Sequence, residues 1–253
     1  MMRGATGVRG RGPALGRVMP AGLFSRELLV TASRPRALVL KVAIPLVLTL
    51  PLLAGHAPTF WAAMLLTVLS AVTGTVGSAM SIARARESGL LVRLAITPRS
   101  PGGSMLSWTI ASTAVDAAQL TPVLMSIFVL APVTAPAALS LVLIEAAVLF
   151  LANVLGSLVA AASGGTGEVL IDVLVLLAPL MFFGGLFTGL PREGWRWIVG
   201  QLDPFSYLDS AFIRALGGAA AFGERRVMLA AALTAAAGAL AVLALGRLVL
   251  RRR

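Results

Sequence analysis

From Pro136 to Ala162 the chain carries Glu145 as its only charged residue, and apolar runs of this kind recur along its length. A helix of roughly 20 apolar residues crosses the ~30 Å hydrocarbon layer of a bilayer. Several such runs in series are more than a soluble core needs. Composition points the same way: 58% of residues are apolar and 12% charged, with a mean hydropathy of +0.94. A soluble domain carries about a quarter charged residues. The sequence therefore predicts an all-α polytopic membrane protein.

Six transmembrane helices are expected: Leu38–Ala54, Pro58–Ile82, Ser104–Ala131, Pro136–Ala162, Val169–Leu190 and Val227–Leu250. The first is short and contains Pro45 and Pro51. Most of the 21 Lys and Arg residues fall on one side of this layout. Arg3, Arg9, Arg11, Arg17, Arg26, Arg34, Arg36 and Lys41 lie at or before the first span. Arg84, Arg86, Arg93 and Arg99 follow the second, and Arg247 and Arg251 to Arg253 end the chain. The loops "GHAPTF" and "PVTAP" contain none. The positive-inside rule then places both termini in the cytoplasm of a multi-pass protein of the cell (inner) membrane.

Residues 1–22 read as a disordered basic cytosolic tail, with Met19 as an alternative start, and residues 23–253 as a single six-span domain. Leu23–Ala32 has an apolar side and an Arg26–Glu27 pair, the pattern of an interfacial helix. Between spans five and six, Trp195, Trp197 and Tyr207 suit the headgroup level. Tyr207–Leu216 there is expected to form a short helix lying on or dipping into the outer leaflet as a re-entrant segment.

The net charge of +11 sits at span ends rather than on a basic face interleaved with aromatics, which argues against nucleic acid. The absence of cysteine excludes disulfides and thiolate metal sites. His56, the single histidine, has no acid or cysteine beside it, so neither a metal site nor a catalytic residue is expected. No Gly-x-x-x-x-Gly-Lys-Ser/Thr phosphate loop occurs, so the chain does not hydrolyse ATP by itself and binds no cofactor of its own.

One segment breaks the apolar pattern: "SIARARESGLLVRLAITPRSPGGS", Ser81–Ser104. Leu90, Leu91, Leu94 and Ala95 recur at helical spacing among Arg86, Glu87 and Arg93, and Pro98 ends the pattern. A solvated loop that only fixes topology is one reading. A short amphipathic docking helix between two spans is the other. The segment resembles the coupling region of type-2 permeases of ATP-binding-cassette (ABC) exporters, which typically reads Arg-Glu-x-Gly-Thr-Leu-Glu-Arg-Leu-x-x-Thr-Pro. Arg86, Glu87, Gly89, Leu91, Arg93, Leu94, Thr97 and Pro98 match, while Leu90 and Val92 replace the usual Thr and Glu. "RELLVTASRPRALVLKVAIP" is similar to that family's interfacial helix and first span. Pro179, Gly185, Phe187, Pro191, Trp195, Pro204, Tyr207, Asp209 and Arg214 resemble its outer signature, with Gly184 in place of a common Ser.

The resemblance implies an efflux permease that forms the translocation pathway as a dimer with a second copy or a related permease. A separate ABC-type subunit would bind ATP and Mg and dock on a coupling helix spanning Glu87–Thr97. Independently of the resemblance, Asp116 and Glu145 fall mid-span, with Gln119 near the first, and Asp172 opens span five. A mid-bilayer carboxylate costs at least about 2.5–3.5 kcal/mol, so these groups are expected to face inward with partners. The residues allow either packing contacts or a pathway role. A proton-coupled secondary transporter using Asp116 and Glu145 is the alternative function, and a membrane anchor for a cytoplasmic enzyme is a third.

Overall fold

The computed structural model describes residues 35–95, 100–191 and 193–251. The expected interfacial helix Leu23–Ala32 and the residues Thr97 and Pro98 lie outside them. Among the described residues the secondary structure is helical throughout: α1 Pro35–Ala54, α2 Thr59–Glu87, α3 Leu90–Ala95, α4 Pro101–Leu130, α5 Ala135–Ala162, α6 Val169–Phe183, α7 Trp195–Leu202, α8 Pro204–Ala215 and α9 Glu224–Arg251.

Among the described residues, four stretches are long and apolar enough to cross a membrane: α2, α4, α5 and Glu224–Gly246 of α9. Shorter apolar stretches occupy Leu38–Ala54 of α1 and Val169–Phe183, the whole of α6. Leu40, Val47, Leu174, Val175 and Leu240 stand exposed on these helices. Such side chains find their solvent in lipid rather than water.

The helix at the centre is α5, which packs on α2, α9, α4 and α8. Its contact with α2 is close because small residues meet there. A Cβ at Gly156 would lie 2.3 Å from the Thr75 carbonyl oxygen, and one at Gly74 would lie 2.8 Å from the Ala152 methyl. Without a strong hydrophobic drive between helices in lipid, such close approach is what holds a pair together. Helix starts follow from local chemistry. The Ser100 hydroxyl accepts from Gly103 N at 3.2 Å with Pro101 behind it, and the Thr134 hydroxyl accepts from Ala137 N.

Two boundaries differ from expectation. The coupling segment is not one helix over Glu87–Thr97. Helix α2 instead runs on to Glu87, turns at Ser88 and Gly89 (φ 70°), and α3 begins at Leu90. The cause is a glycine in the left-handed region at the C-terminus of a helix, with Gly89 N bonded back to Arg86 O. Likewise, the helix expected over Val169–Leu190 stops at Phe183. Gly185 takes φ 82°, and a Cβ there would lie 2.9 Å from Leu190 Cα, so the chain reverses tightly.

Candidate functional site

Three structural units carry the residues singled out in the sequence: a basic turn at one end of α2, a polar seam through the bundle, and a hairpin at the other end of α2. The turn is held by Arg86. Its guanidinium donates to the carbonyl of Ala160 at 2.9 Å and to that of Ser163 at 3.0 Å. These carbonyls belong to the last turn and C-cap of α5. Helix-end carbonyls lack intrahelical donors and carry the negative end of the helix dipole, so a fork-shaped cation fits there. Beside it, Thr166 N donates to a Glu87 carboxylate oxygen at 3.3 Å. The Ser163 hydroxyl is paired with Asp172 at the start of α6. Arg86, Ser163 and Asp172 thus tie together the ends of α2, α5 and α6.

The turn presents a different face from the one its amphipathic pattern suggested. Leu91 is 6% exposed, and Leu90 and Leu94 pack partly buried against the core. The apolar ridge therefore anchors α3 to its own bundle. Val92, 62% exposed, and the exposed Arg93 are what α3 offers to its surroundings.

Through the bundle, Asp116 of α4 is buried beside the α2–α5 crossing. Asn153 Nδ2 donates to its Oδ2 at 2.9 Å and also to Leu149 O at 2.9 Å. Ser78 and Ser157 pair across the same crossing at 3.3 Å. Gln119 and Glu145 are likewise buried. Glu145 shares a small cavity with Ser70, Leu120 and Phe212 rather than an open channel. The structure brings Asp116 together with Asn153 and the α2–α5 seam, and it places Asp172 with the basic turn instead.

At the far end, the segment after α6 folds into the helical hairpin α7–α8. The α8 face of Phe205, Leu208 and Phe212 is fully buried, and the helix packs on α2 and α5. Its entry is governed by Asp203, whose Oδ1 accepts from Phe205 N at 3.0 Å with Pro204 opening the helix. The other carboxylate oxygen lies where a Cβ at Gly184 would be, 1.9 Å away, so residue 184 has no room for a side chain. Ser206 Oγ donates to Gly184 O at 2.7 Å. Tyr207 donates to Gln201 O at 3.1 Å and stacks on Phe222, ring centres 4.2 Å apart, with Trp197 stacked on Phe222 as well. Arg214 donates to the Phe222 carbonyl.

Of the predicted outer residues, Pro204, Tyr207 and Arg214 build this hairpin, Gly185 makes its first turn, and Pro179 lies inside α6. Pro191 sits between Gly189 and α7, outside the helices. Asp209 faces a cleft shared with Ser206, Ser210 and Arg226. Burial pushes the carboxyls of Asp203 and Asp209 up to about 7, the former against an opposing bond from Phe205 N. Asp203, Ser206 and Phe222 were missed from the sequence. The Asp203-Pro204 pair, a capping residue ahead of proline, was the signal available for the first of these.

Together these features describe an α-helical membrane bundle with its polar groups turned inward and the ends of α2, α5 and α6 tied together. The model of the ABC-2 type transporter family matches residues 22–216, and the chain belongs to that family. The matched region takes in the basic turn, the polar seam and the hairpin through α8, and ends before α9. No curated protein and no solved structure matches the chain.

Proposed function

We propose that this chain is the six-span permease subunit of an ATP-driven exporter and forms the translocation pathway as a dimer. ATP and Mg are held by a separate ABC-type subunit that docks on the basic turn. The short stretches in α1 and α6 complete the six spans, and both termini lie in the cytoplasm. The observation that carries this reading is the pair of hydrogen bonds from Arg86 to the end of α5. It makes a displacement of the turn a displacement of α2 and α5 together.

The rest of the path follows from packing. Helices α2 and α5 touch through glycines and cannot slide apart cheaply. Helix α2 has 29 residues and is therefore about 43 Å long. Its far end meets the hairpin, where a Cβ at Gly218 would lie 2.5 Å from Thr59 Oγ1. Helix α8 is seated on both α2 and α5. ATP binding acts on this assembly only if the partner holds the turn differently in its nucleotide states. Burial of Asp116 and Glu145, 4% and 2% exposed, favours a packing role over the proton-coupled alternative.

The test is purification of the tagged protein from its native membrane in mild detergent, beside a Val92→Asp/Arg93→Ala variant that spares the buried Leu91. The expected result is an ATPase in about equal amount with the parent and its loss with the variant. A parent that brings down no ATPase would count against the reading.

A further inference from the structure

A furrow runs between α4, α5 and α9 and opens sideways from the bundle. Its floor is made of small residues, Ala114 and Ala117 of α4, Ala147 of α5, and Ala232 and Ala235 of α9. The deep end is closed by Phe150, whose ring fills the space above Gly238, 2.9 Å from where a Cβ would stand. The other end reaches the first turn of α9. There Glu224 and Arg225 precede Met228, which also lines the furrow, by one helical turn. Glu224 is half-buried and Arg225 exposed.

Dimensions and charge define what fits. Ala235 lies ten positions beyond Arg225, about 15 Å along a helix, and this is half of the ~30 Å hydrocarbon layer, one leaflet deep. An apolar furrow at that depth takes a hydrocarbon chain. One turn before Met228, the start of α9 carries one carboxylate, Glu224, and one guanidinium, Arg225. A guanidinium matches a phosphate, and a carboxylate matches a primary ammonium that can donate hydrogen bonds. Phosphatidylglycerol has no cation for Glu224. The quaternary ammonium of phosphatidylcholine has no N–H to give.

We propose that the α4–α5–α9 furrow is a binding site for phosphatidylethanolamine, with one acyl chain along the alanine floor and the headgroup across Glu224 and Arg225. Only the α9 wall of the furrow lies beyond the family match, and the site requires membrane insertion but not ATP coupling. In the orientation proposed above it faces the outer leaflet.

The test reconstitutes the full chain in phosphatidylcholine vesicles with trace spin-labelled phosphatidylethanolamine, phosphatidylglycerol or phosphatidylcholine. The fraction of motionally restricted label is read by electron paramagnetic resonance. The parent protein should prefer the ethanolamine lipid several-fold. Glu224→Gln should bring that lipid to the phosphatidylcholine level, and Ala232→Leu/Ala235→Leu should lower the restricted fraction for all three. Equal restriction of the three lipids by the parent overturns the proposal without recourse to any variant. So does a filled furrow that leaves the restricted fraction unchanged. Because the chain has no cysteine, Ala232→Cys provides a further check: efficient disulfide pairing would show a second copy of the chain over the furrow and would also overturn it.

Discussion

Arg86 spans two helices: it leaves the last turn of α2 and donates to Ser163 O, the C-cap of α5, at 3.0 Å. Each bond of this charged kind is worth about 1.5–3 kcal/mol. Arg86→Gln should therefore lower the melting temperature of the purified protein by several degrees. Arg86→Lys should recover little of the loss, because an ammonium lacks the fork that reaches Ala160 and Ser163 together. A differential scanning fluorimetry series checks both, and full recovery by lysine would show that charge alone matters.

The α2–α5 seam should tolerate some glycine substitutions and not others. A Cβ at Gly156 would sit 2.3 Å from Thr75 O, whereas one at Gly77 would sit 3.6 Å from Asp116 Oδ1, an ordinary contact. Gly156→Val should cost about 1–3 kcal/mol or more as overpacking and spoil the monodisperse peak in size-exclusion chromatography. Gly77→Ala should elute like the parent. The order of the two variants is the decisive reading.

Asn153 is expected to matter for folding more than the charge of its partner. Asn153→Leu removes the donor at 2.9 Å from Asp116, and loss of a buried polar partner costs about 1–3 kcal/mol. Asp116→Asn keeps a polar group of the same shape in place and should leave thermal stability near that of the parent. Loss of ATP-driven turnover in Asp116→Asn, with the fold intact, would instead mark Asp116 as a working residue.

The hairpin carboxyls set a pH dependence with a definite sign. Asp203 and Asp209 rise to about 7 in the folded protein, against about 3.9 in an unfolded chain. Between those values the folded state holds protons that the unfolded state releases. Stability therefore falls as pH rises through this window and is lowest above it. The melting temperature should increase on going from about pH 8 to about pH 5, and Asp209→Asn should flatten that slope while raising the value at the higher pH. A flat profile in the parent would contradict the burial of these groups.

Much of this fold was legible because a bilayer imposes a length on apolar runs. The runs Pro58–Ile82 and Pro136–Ala162 anticipated α2 and α5 to within a few residues. The end of α6 was not legible from hydropathy, since "APLMFFGGLFTGL" stays apolar past the break. The break falls where Gly185 takes a positive φ, a backbone freedom that hydropathy does not register. For α3, periodicity reveals that one face is apolar but not whether that face meets its own bundle or another protein. Leu91 turned inward, leaving Val92 and Arg93 outside. The pairing of Arg86 with Ala160 and Ser163 joins residues far apart in sequence, and no local pattern announces it.

The most direct test of the proposed coupling is site-specific photo-crosslinking in the native membrane from two exposed positions at opposite ends of the bundle. One is Val92 on the basic turn, 62% exposed, and the other is Leu202 on the hairpin, 81% exposed. The account predicts that a photoreactive residue at 92 captures an ATP-binding subunit and that one at 202 does not. No such adduct from position 92, or equal capture from both positions, would contradict it.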